Sequence, residues 1–283
     1  MPEFVVDAHH HLWDLEHGEY PWQTPEVPEL YRTFGTDDLF RATRAAGVDA
    51  TVLVQAADTL ADTDDMLRWA AQAPLIRGIV GWVPLEDPAA AERALDRLAT
   101  VPLVKGVRHL INYEPDEDWL VRDGVQRSLA LADERDLAFD VVAVTARHLQ
   151  HAITTASAHP SLRLVIDHLG KPDIRSRRWE PWAGLVATCA QAPNVFAKVS
   201  GLDTAANPRA WSAADLRPYV EHALACFSPE RCMFGSDWPV STLGGAYERI
   251  LAETRTALDG ASSDAVAWVL GRTADAFYRL DLG

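Results

Sequence analysis

The chain has 283 residues, of which 48% are hydrophobic and 24% are charged. This length can form one large domain with a substantial core, or two modest ones. Lys and Arg total 26 against 41 Asp and Glu, so the formal net charge is −15. An acidic surface argues against nucleic acid or an anionic membrane as the main partner, whereas local arginines can still create a pocket for a small anionic ligand.

The cysteines and the first residues indicate a cytoplasmic protein. Cys189, Cys226 and Cys232 are an odd number without metal-ligand spacing, so we expect reduced, buried thiols. The start, MPEFVV, lacks the basic and apolar regions of a secretion signal, and no run approaches transmembrane length. We expect a small-molecule partner, no nucleic-acid or membrane partner, and leave a homo-oligomer open.

Short apolar runs alternate with amphipathic, alanine- and leucine-rich segments along the whole chain. Strict alternation of this kind predicts a parallel sheet, and eight units predict a (β/α)8 TIM barrel forming a single domain over residues 1–283. The predicted strands are 4–10, 50–56, 76–83, 104–111, 137–144, 162–169, 194–201 and 232–238. Predicted helices between them include 36–46, 88–99 and 125–135.

The predicted loops differ between the two ends of the barrel. Segments that lead from helix to strand are short, whereas several that lead from strand to helix are long and rich in Pro, Trp and charge: 12–35, 112–123, 170–182 and 202–215. In this fold the carboxyl ends of the strands carry the chemistry. A doubly wound open sheet is the alternative, but no GxGxxG motif or P-loop follows any run, so nucleotide binding has no support.

The first run ends in three consecutive histidines, His9, His10 and His11. Successive side chains of a strand point to opposite faces. We therefore expect Asp7, His9 and His11 on one face, and Ala8 and His10 on the other. This predicts a His-x-His pair in the barrel mouth, with His10 packed behind the sheet.

Other candidate site residues lie where later strands end. Arg108 and His109 end the fourth run, His168 ends the sixth, Lys198 lies near the end of the seventh, and Asp237 ends the eighth. Imidazoles and a carboxylate can hold a divalent metal whose bound water is acidified, with the carboxylate as general base. Without a metal, the imidazoles can polarise a carbonyl while the aspartate activates water.

Structural interpretations compete with these roles. His168 alone would be a satisfied structural histidine, Asp237 would cap the next helix, and Lys198 would pair with a core carboxylate. The joint placement of His9, His11, His168 and Asp237 at strand ends favours a site.

Four ordered motifs resemble the amidohydrolase superfamily, over essentially the whole chain. They are Asp7-Ala8-His9-His10-His11, Lys105-Gly106-Val107-Arg108-His109, Asp167-His168-Leu169-Gly170-Lys171-Pro172 and Gly235-Ser236-Asp237-Trp238-Pro239. The two middle motifs are similar to the sugar-lactonase branch, whose members hydrolyse lactones such as fuconolactone and rhamnonolactone. The resemblance thus implies a hydrolase of carbohydrate catabolism.

The chain departs from the binuclear members of that superfamily, which carry a bridging carboxylated lysine or a glutamate at the end of the fourth strand. Here this strand ends in Arg108 and His109, and Lys105 lies too early to bridge. The resemblance therefore implies either no required cofactor or one divalent metal, with zinc the first choice. His9, His11 and Asp237 would hold it, with His168 as a further candidate.

The leading functional hypothesis is hydrolysis of an aldonolactone to the aldonic acid, with Asp237, His168, Arg108 and Lys198 as catalytic groups. Tryptophans in the mouth loops suit stacking on a sugar ring. The predicted substrate-binding residues are His109, Trp13, Trp22 and Trp238. The alternatives are a metal-dependent decarboxylase of an aromatic or enoic acid, and a sugar-acid-binding barrel without catalysis.

Overall fold

The structure, a computed structural model, describes residues 4–283, so the first three residues of the predicted domain lie outside the described part. Eight parallel strands pair in the order β1 to β8, which confirms the predicted barrel. Each strand lies within its predicted run. The strands are β1 Val6–His10, β2 Ala50–Val54, β3 Ile76–Gly81, β4 Val104–His109, β5 Ala138–Val141, β6 Leu164–Ile166, β7 Val195–Val199 and β8 Cys232–Phe234.

Helices follow the strands and cover the outside of the barrel. Two of the predicted segments are confirmed to the residue, and the third begins two residues earlier than expected. In the second of these, Asp87 accepts hydrogen bonds from the first turn and Pro88 opens the helix. The helices are α1 Thr36–Ala46, α2 Leu60–Ala70, α3 Pro88–Ala99, α4 Asp123–Glu134, α5 Ala146–Ala158, α6 Trp182–Cys189, α7 Leu202–Ala205, α8 Ala213–Phe227, α9 Tyr247–Ala257, α10 Ser263–Ala267 and α11 Thr273–Tyr278.

The barrel closes between the ends of β1 and β8. The backbone N–H of Asp237 donates to the carbonyl oxygen of His9 at 2.7 Å, and the N–H of His11 donates to the carbonyl oxygen of Trp238 at 2.7 Å. These bonds lie at the mouth, one strand end against the other. Closure itself therefore brings the first and last sequence motifs side by side.

Small and branched side chains fill the inside of the barrel, and α11 closes its lower end. Phe277 and Tyr278 of α11 pack into the same cluster as the strand residues, so the cavity is a core and not a pore. The strand members of this cluster are Val6, Ala8, Ala50, Val52, Val54, Val80, Ala138, Val165 and Met233.

The long connections lie at the opposite end from α11, as predicted. They follow β1, β4, β6 and β7, whereas the returns from helix to strand are short. The cysteines are free; Cys189 and Cys232 are buried as expected, but Cys226 is only half-buried. Among residues 4–283, no helix is both long enough and apolar enough to span a bilayer.

Candidate active site

The three histidine side chains point in the predicted directions, with His9 and His11 toward the mouth and His10 behind the sheet, but simple strand alternation is not the cause. Along β1, the four residues from Asp7 to His10 lie opposite only three residues of β2, Thr51 to Leu53, which places a β-bulge in this segment. Ala8 packs inside the barrel, and so does the next side chain, His9. The prediction that Asp7 shares a face with His9 is therefore wrong, because the bulge breaks the alternation.

Asp7 and His10 both lie behind the sheet. The carboxylate of Asp7 accepts hydrogen bonds from the Ser236 hydroxyl at 2.6 Å and the Tyr247 hydroxyl of α9 at 2.7 Å. Nε2 of His10 lies 3.0 Å from the Thr51 hydroxyl. Both side chains are fully buried, so they fix β1 against β8 and the helix layer and do not reach the mouth.

At the mouth, four side chains converge. Nε2 of His9 and Nε2 of His11 are 3.2 Å apart. Oδ1 of Asp237 lies 3.7 Å from His9, 3.5 Å from His11 and 4.0 Å from Nε2 of His168. Gly235 permits this approach, since a Cβ there would lie 2.6 Å from the Cβ of His9. The structure thus brings together the four residues that the sequence placed at strand ends.

These four residues fit one divalent metal ion. Ligand atoms about 2.0–2.2 Å from a tetrahedral zinc ion lie about 3.3–3.6 Å apart, close to the separations at this site. Nδ1 of His11 is 2.8 Å from the carbonyl oxygen of Val54, which requires a proton on Nδ1 and leaves the lone pair of Nε2 free. His9, His168 and Asp237 also place three possible ligand atoms within 4.8 Å of one another.

The electrostatics suit a metal or a nucleophilic water. Burial lowers the pKa of His168 to about 4 and lowers that of His9 well below its ordinary value. Burial acts to raise the pKa of Asp237, but the imidazoles of His168, His11 and His9 outweigh it, and the net pKa lies below the usual range. At neutral pH His9 and His168 are therefore neutral beside the ionised carboxylate of Asp237.

Arg108 lies at the same place and is almost fully buried. Its Nη1 is 3.1 Å from Oδ2 of Asp167 and 3.2 Å from Nε2 of His9, and its Nη2 donates to the carbonyl oxygen of Gln55 at 2.5 Å. Its Nε has no partner among the described residues. Because Nε2 of His9 has one lone pair, a metal ion there requires the guanidinium to withdraw from it.

Lys198 does not reach the cleft. Its ammonium lies on the Nδ1 side of His9, at 3.1 Å, where it also contacts Asp140 at 2.5 Å and Asp167 at 3.1 Å. The expected contact of Lys198 with substrate is therefore not supported, because the His9 ring separates it from the mouth. Pairing with core carboxylates, the structural alternative, is what the geometry shows.

A cleft that is open to solvent lies above these groups. His11, Arg108, His168 and Asp237 form its floor, and apolar side chains such as Val142 form its walls. Three of the polar residues that line the cleft were not predicted from the sequence. They are Asn112, Tyr113 and Lys171. Asn112 and Tyr113 could have been found from their position directly after the fourth strand, and Lys171 from its place in the motif that begins at Asp167.

Only one of the predicted aromatic binding residues lines the cleft. Trp22 does so, anchored by its indole N–H to the carbonyl oxygen of Ala56 at 2.7 Å. Trp13 is fully buried, and its indole N–H donates to the backbone carbonyl oxygen of Arg32. Trp238 packs edge-on against Phe34. These two rings hold the first loop to the barrel, so the prediction of sugar contact is not supported for them.

His109 is also occupied by protein contacts. Its ring stacks on Trp119 at a centroid distance of 4.0 Å, and its Nε2 lies 2.8 Å from a Glu114 carboxylate oxygen. The indole N–H of Trp82 donates to its Nδ1 at 3.0 Å. With both nitrogens paired, His109 orders the loop after β4 and has no free atom for a substrate.

Comparisons with known proteins agree with this geometry. A curated L-fucono-1,5-lactonase from Burkholderia ambifaria is 36% identical over 98% of this chain and 96% of its own length. A second, from Burkholderia multivorans, is 32% identical over 88% of this chain and 87% of its length.

Solved structures show the same relationship. A crystal structure of an amidohydrolase from Burkholderia multivorans with bound zinc superposes with a TM-score of 0.90, at 30% identity, over 98% of this chain and 99% of that one. Two decarboxylases share the fold at 17% and 15% identity, a likeness that shows the fold alone. Residues 6–280 match the family described as amidohydrolase, and the chain belongs to that family.

Proposed function

We propose that this protein is a lactonase that hydrolyses an aldonolactone, with L-fucono-1,5-lactone as the first candidate. The observation that carries the proposal is the ionised Asp237 beside His9 and His11 at the floor of a cleft that Arg108 also lines. The similarity to two curated L-fucono-1,5-lactonases supports the choice of a sugar lactone.

The residues divide the reaction between them. A zinc ion held by His9, His11 and Asp237, with His168 beside it, supplies Lewis acidity when bound. Asp237 accepts a proton from the water that attacks the ester carbonyl carbon, and Arg108 stabilises the negative charge that develops on the carbonyl oxygen. When the bond to the ring oxygen breaks, that oxygen takes the proton from Asp237 and becomes a hydroxyl group.

His168 and the cleft walls position the substrate. Nδ1 of His168 lies 2.8 Å from the Ser200 hydroxyl, so the ring is held with Nε2 toward Asp237. Trp22 and Tyr113 offer aromatic surface for the sugar ring, while Asn112 and Lys171 offer polar groups for its hydroxyls. The side-chain oxygen of Asn112 is buried and has no partner among the described residues, which suits a hydroxyl donor of the substrate.

The test is a pH-indicator assay on a panel of aldonolactones, with and without a chelator. We expect acid release above the spontaneous rate on at least one sugar lactone, and little or none from Asp237→Asn. Loss of carbon dioxide from an aromatic acid, with no lactone turnover, would instead support the decarboxylase. Full ester hydrolysis by a zinc-free preparation would exclude the decarboxylase. A folded protein that binds sugar acids without turnover would support the binding barrel.

We also propose a cellular location, a domain extent and a partner class for this protein. We place the protein in the cytoplasm as one domain over residues 1–283, acting on a small molecule without nucleic acid or membrane. Three free cysteines, one eight-stranded sheet and a net charge of −15 support this.

A further inference from the structure

A second set of possible metal ligands lies beneath the mouth. Nδ1 of His9, a carboxylate oxygen of Asp140 and one of Asp167 lie within 4.8 Å of one another, and all three residues are buried. Nδ1 of His9 and Oδ1 of Asp167 are 3.2 Å apart. The geometry alone would suit a cation between them.

The ammonium of Lys198 already occupies this position. Its Nζ lies 2.5 Å from Oδ2 of Asp140, 3.1 Å from Oδ1 of Asp167 and 3.1 Å from Nδ1 of His9. No other described group with a positive charge contacts Asp140, whose remaining partner is the hydroxyl of Tyr278. Lys198 is therefore the central cation of this cluster.

The charges of this buried cluster balance only when Lys198 is present. Two buried carboxylates, Asp140 and Asp167, face two buried cations, Lys198 and Arg108. Oδ1 of Asp167 lies 3.1 Å from Nζ of Lys198 but has no well-aligned hydrogen bond, so it keeps capacity for a further ligand. Removal of Lys198 would leave an excess negative charge away from water, an arrangement that favours capture of a cation.

We infer that Lys198 is a built-in cation that takes the place of a second metal ion, so that the barrel binds a divalent ion at the mouth alone. Lys198 is thus a positioning residue, which acts on the site through His9. Without the ammonium, the two carboxylates become a site for a hard divalent ion such as Mn²⁺. Because neutral His9 has one lone pair, His9 joins that site only if its ring releases a proton.

The experiment counts Mn²⁺ on zinc-loaded protein by the loss of the free Mn²⁺ signal in electron paramagnetic resonance. Zinc fills the mouth first, since imidazoles favour it over Mn²⁺. We expect no Mn²⁺ on the wild type, one additional ion per chain on Lys198→Ala, and none on Lys198→Ala/Asp140→Asn. The matched control is Lys171→Ala, which removes a cleft lysine and opens no carboxylate pair; it should also bind none.

Several results would overturn the inference. One is a folded Lys198→Ala variant that binds no more Mn²⁺ than the wild type. Another is retention of the extra ion by the double variant, or its gain by Lys171→Ala. Should Lys198→Ala lose its fold, Mn²⁺ should restore the circular dichroism of that variant and not of the double variant; failure of Mn²⁺ to do so also counts against the built-in cation.

Discussion

The two sides of the His9 imidazole face different surroundings. On the Nδ1 side, Asp140, Asp167 and Lys198 form a closed layer in which each charge has an opposite charge within 3.1 Å. On the Nε2 side, Asp237 approaches its imidazole neighbours only at 3.5–4.0 Å and faces the cleft. The closed side holds the His9 ring in position. The open side keeps groups with unused hydrogen-bonding or metal-binding capacity, which a metal ion or a substrate can fill.

The largest expected effect comes from the open side. Asp237→Asn keeps the shape of the side chain but removes its basicity, so kcat on the best lactone should fall by about 10²-fold or more. Circular dichroism should show an intact fold. The matched control is Asp173→Asn, which changes a partly exposed carboxylate on the loop after β6 whose nearest cation is Arg178 at 3.6 Å. Near-normal turnover of Asp237→Asn would reject its role as the proton acceptor.

Arg108 contacts Asp167 on the closed side and Nε2 of His9 on the open side, so its replacement should affect both sides. Arg108→Met should lose about 2–4 kcal/mol of transition-state stabilisation, measured as kcat/KM. The pairing of Arg108 with buried Asp167 predicts a lower melting temperature as well. Arg108→Lys, which keeps the charge, should recover stability better than activity. An unchanged kcat/KM in Arg108→Met would make Arg108 a structural partner of Asp167 only.

A pH dependence of stability is expected from Asp203 of α7, a buried carboxyl group outside the closed layer. Burial, followed by repulsion from Asp237, raises the pKa of Asp203 to about 7. The native state therefore keeps a proton that the unfolded chain loses near pH 4, and stability falls as pH rises between about 4 and 7, by an upper limit of about 4 kcal/mol. Asp203→Asn removes this term, so its melting temperature relative to wild type should rise over that interval. A constant difference across the interval would contradict the protonated state of Asp203.

The smallest effect is expected at His10, which faces neither side of the site. His10→Gln should cost about 1 kcal/mol of stability through the lost contact with Thr51, and leave turnover and metal content unchanged. His9→Asn and His11→Asn should reduce both turnover and bound metal. The three variants are compared for turnover, metal content and melting temperature. Loss of turnover in His10→Gln, with unchanged turnover in His9→Asn and His11→Asn, would show that the register of β1 is wrong.

The sequence predicted the architecture well because strand and helix periodicity repeat eight times and loop lengths differ between the barrel ends. It also placed His9, His11, His168 and Asp237 together, since the carboxyl ends of parallel barrel strands meet at one mouth. It could not show the bulge after Asp7, because an extra residue in a ladder leaves no mark in a pattern of hydrophobic residues.

The closed layer and the loop aromatics were harder to predict. Asp140 is a single acid inside an apolar run, a signal that could have marked a buried ion pair with Lys198, but its partner is distant in sequence. Trp13 and His109 were assigned to the substrate because they follow strand ends. Their rings instead pack against Phe34 and Trp119, respectively. These contacts are between distant or loop residues of the folded chain, and local sequence does not encode them.

Lactone hydrolysis is tested most directly in a single time course with L-fucono-1,5-lactone, in which lactone loss is followed by nuclear magnetic resonance and acid release by titration. We expect faster loss of lactone with the purified, zinc-loaded protein than in buffer. We also expect one proton released for each lactone opened, because the product acid ionises at neutral pH. Loss of this and other aldonolactones at the buffer rate, by protein shown to be folded, would contradict the proposed lactonase function.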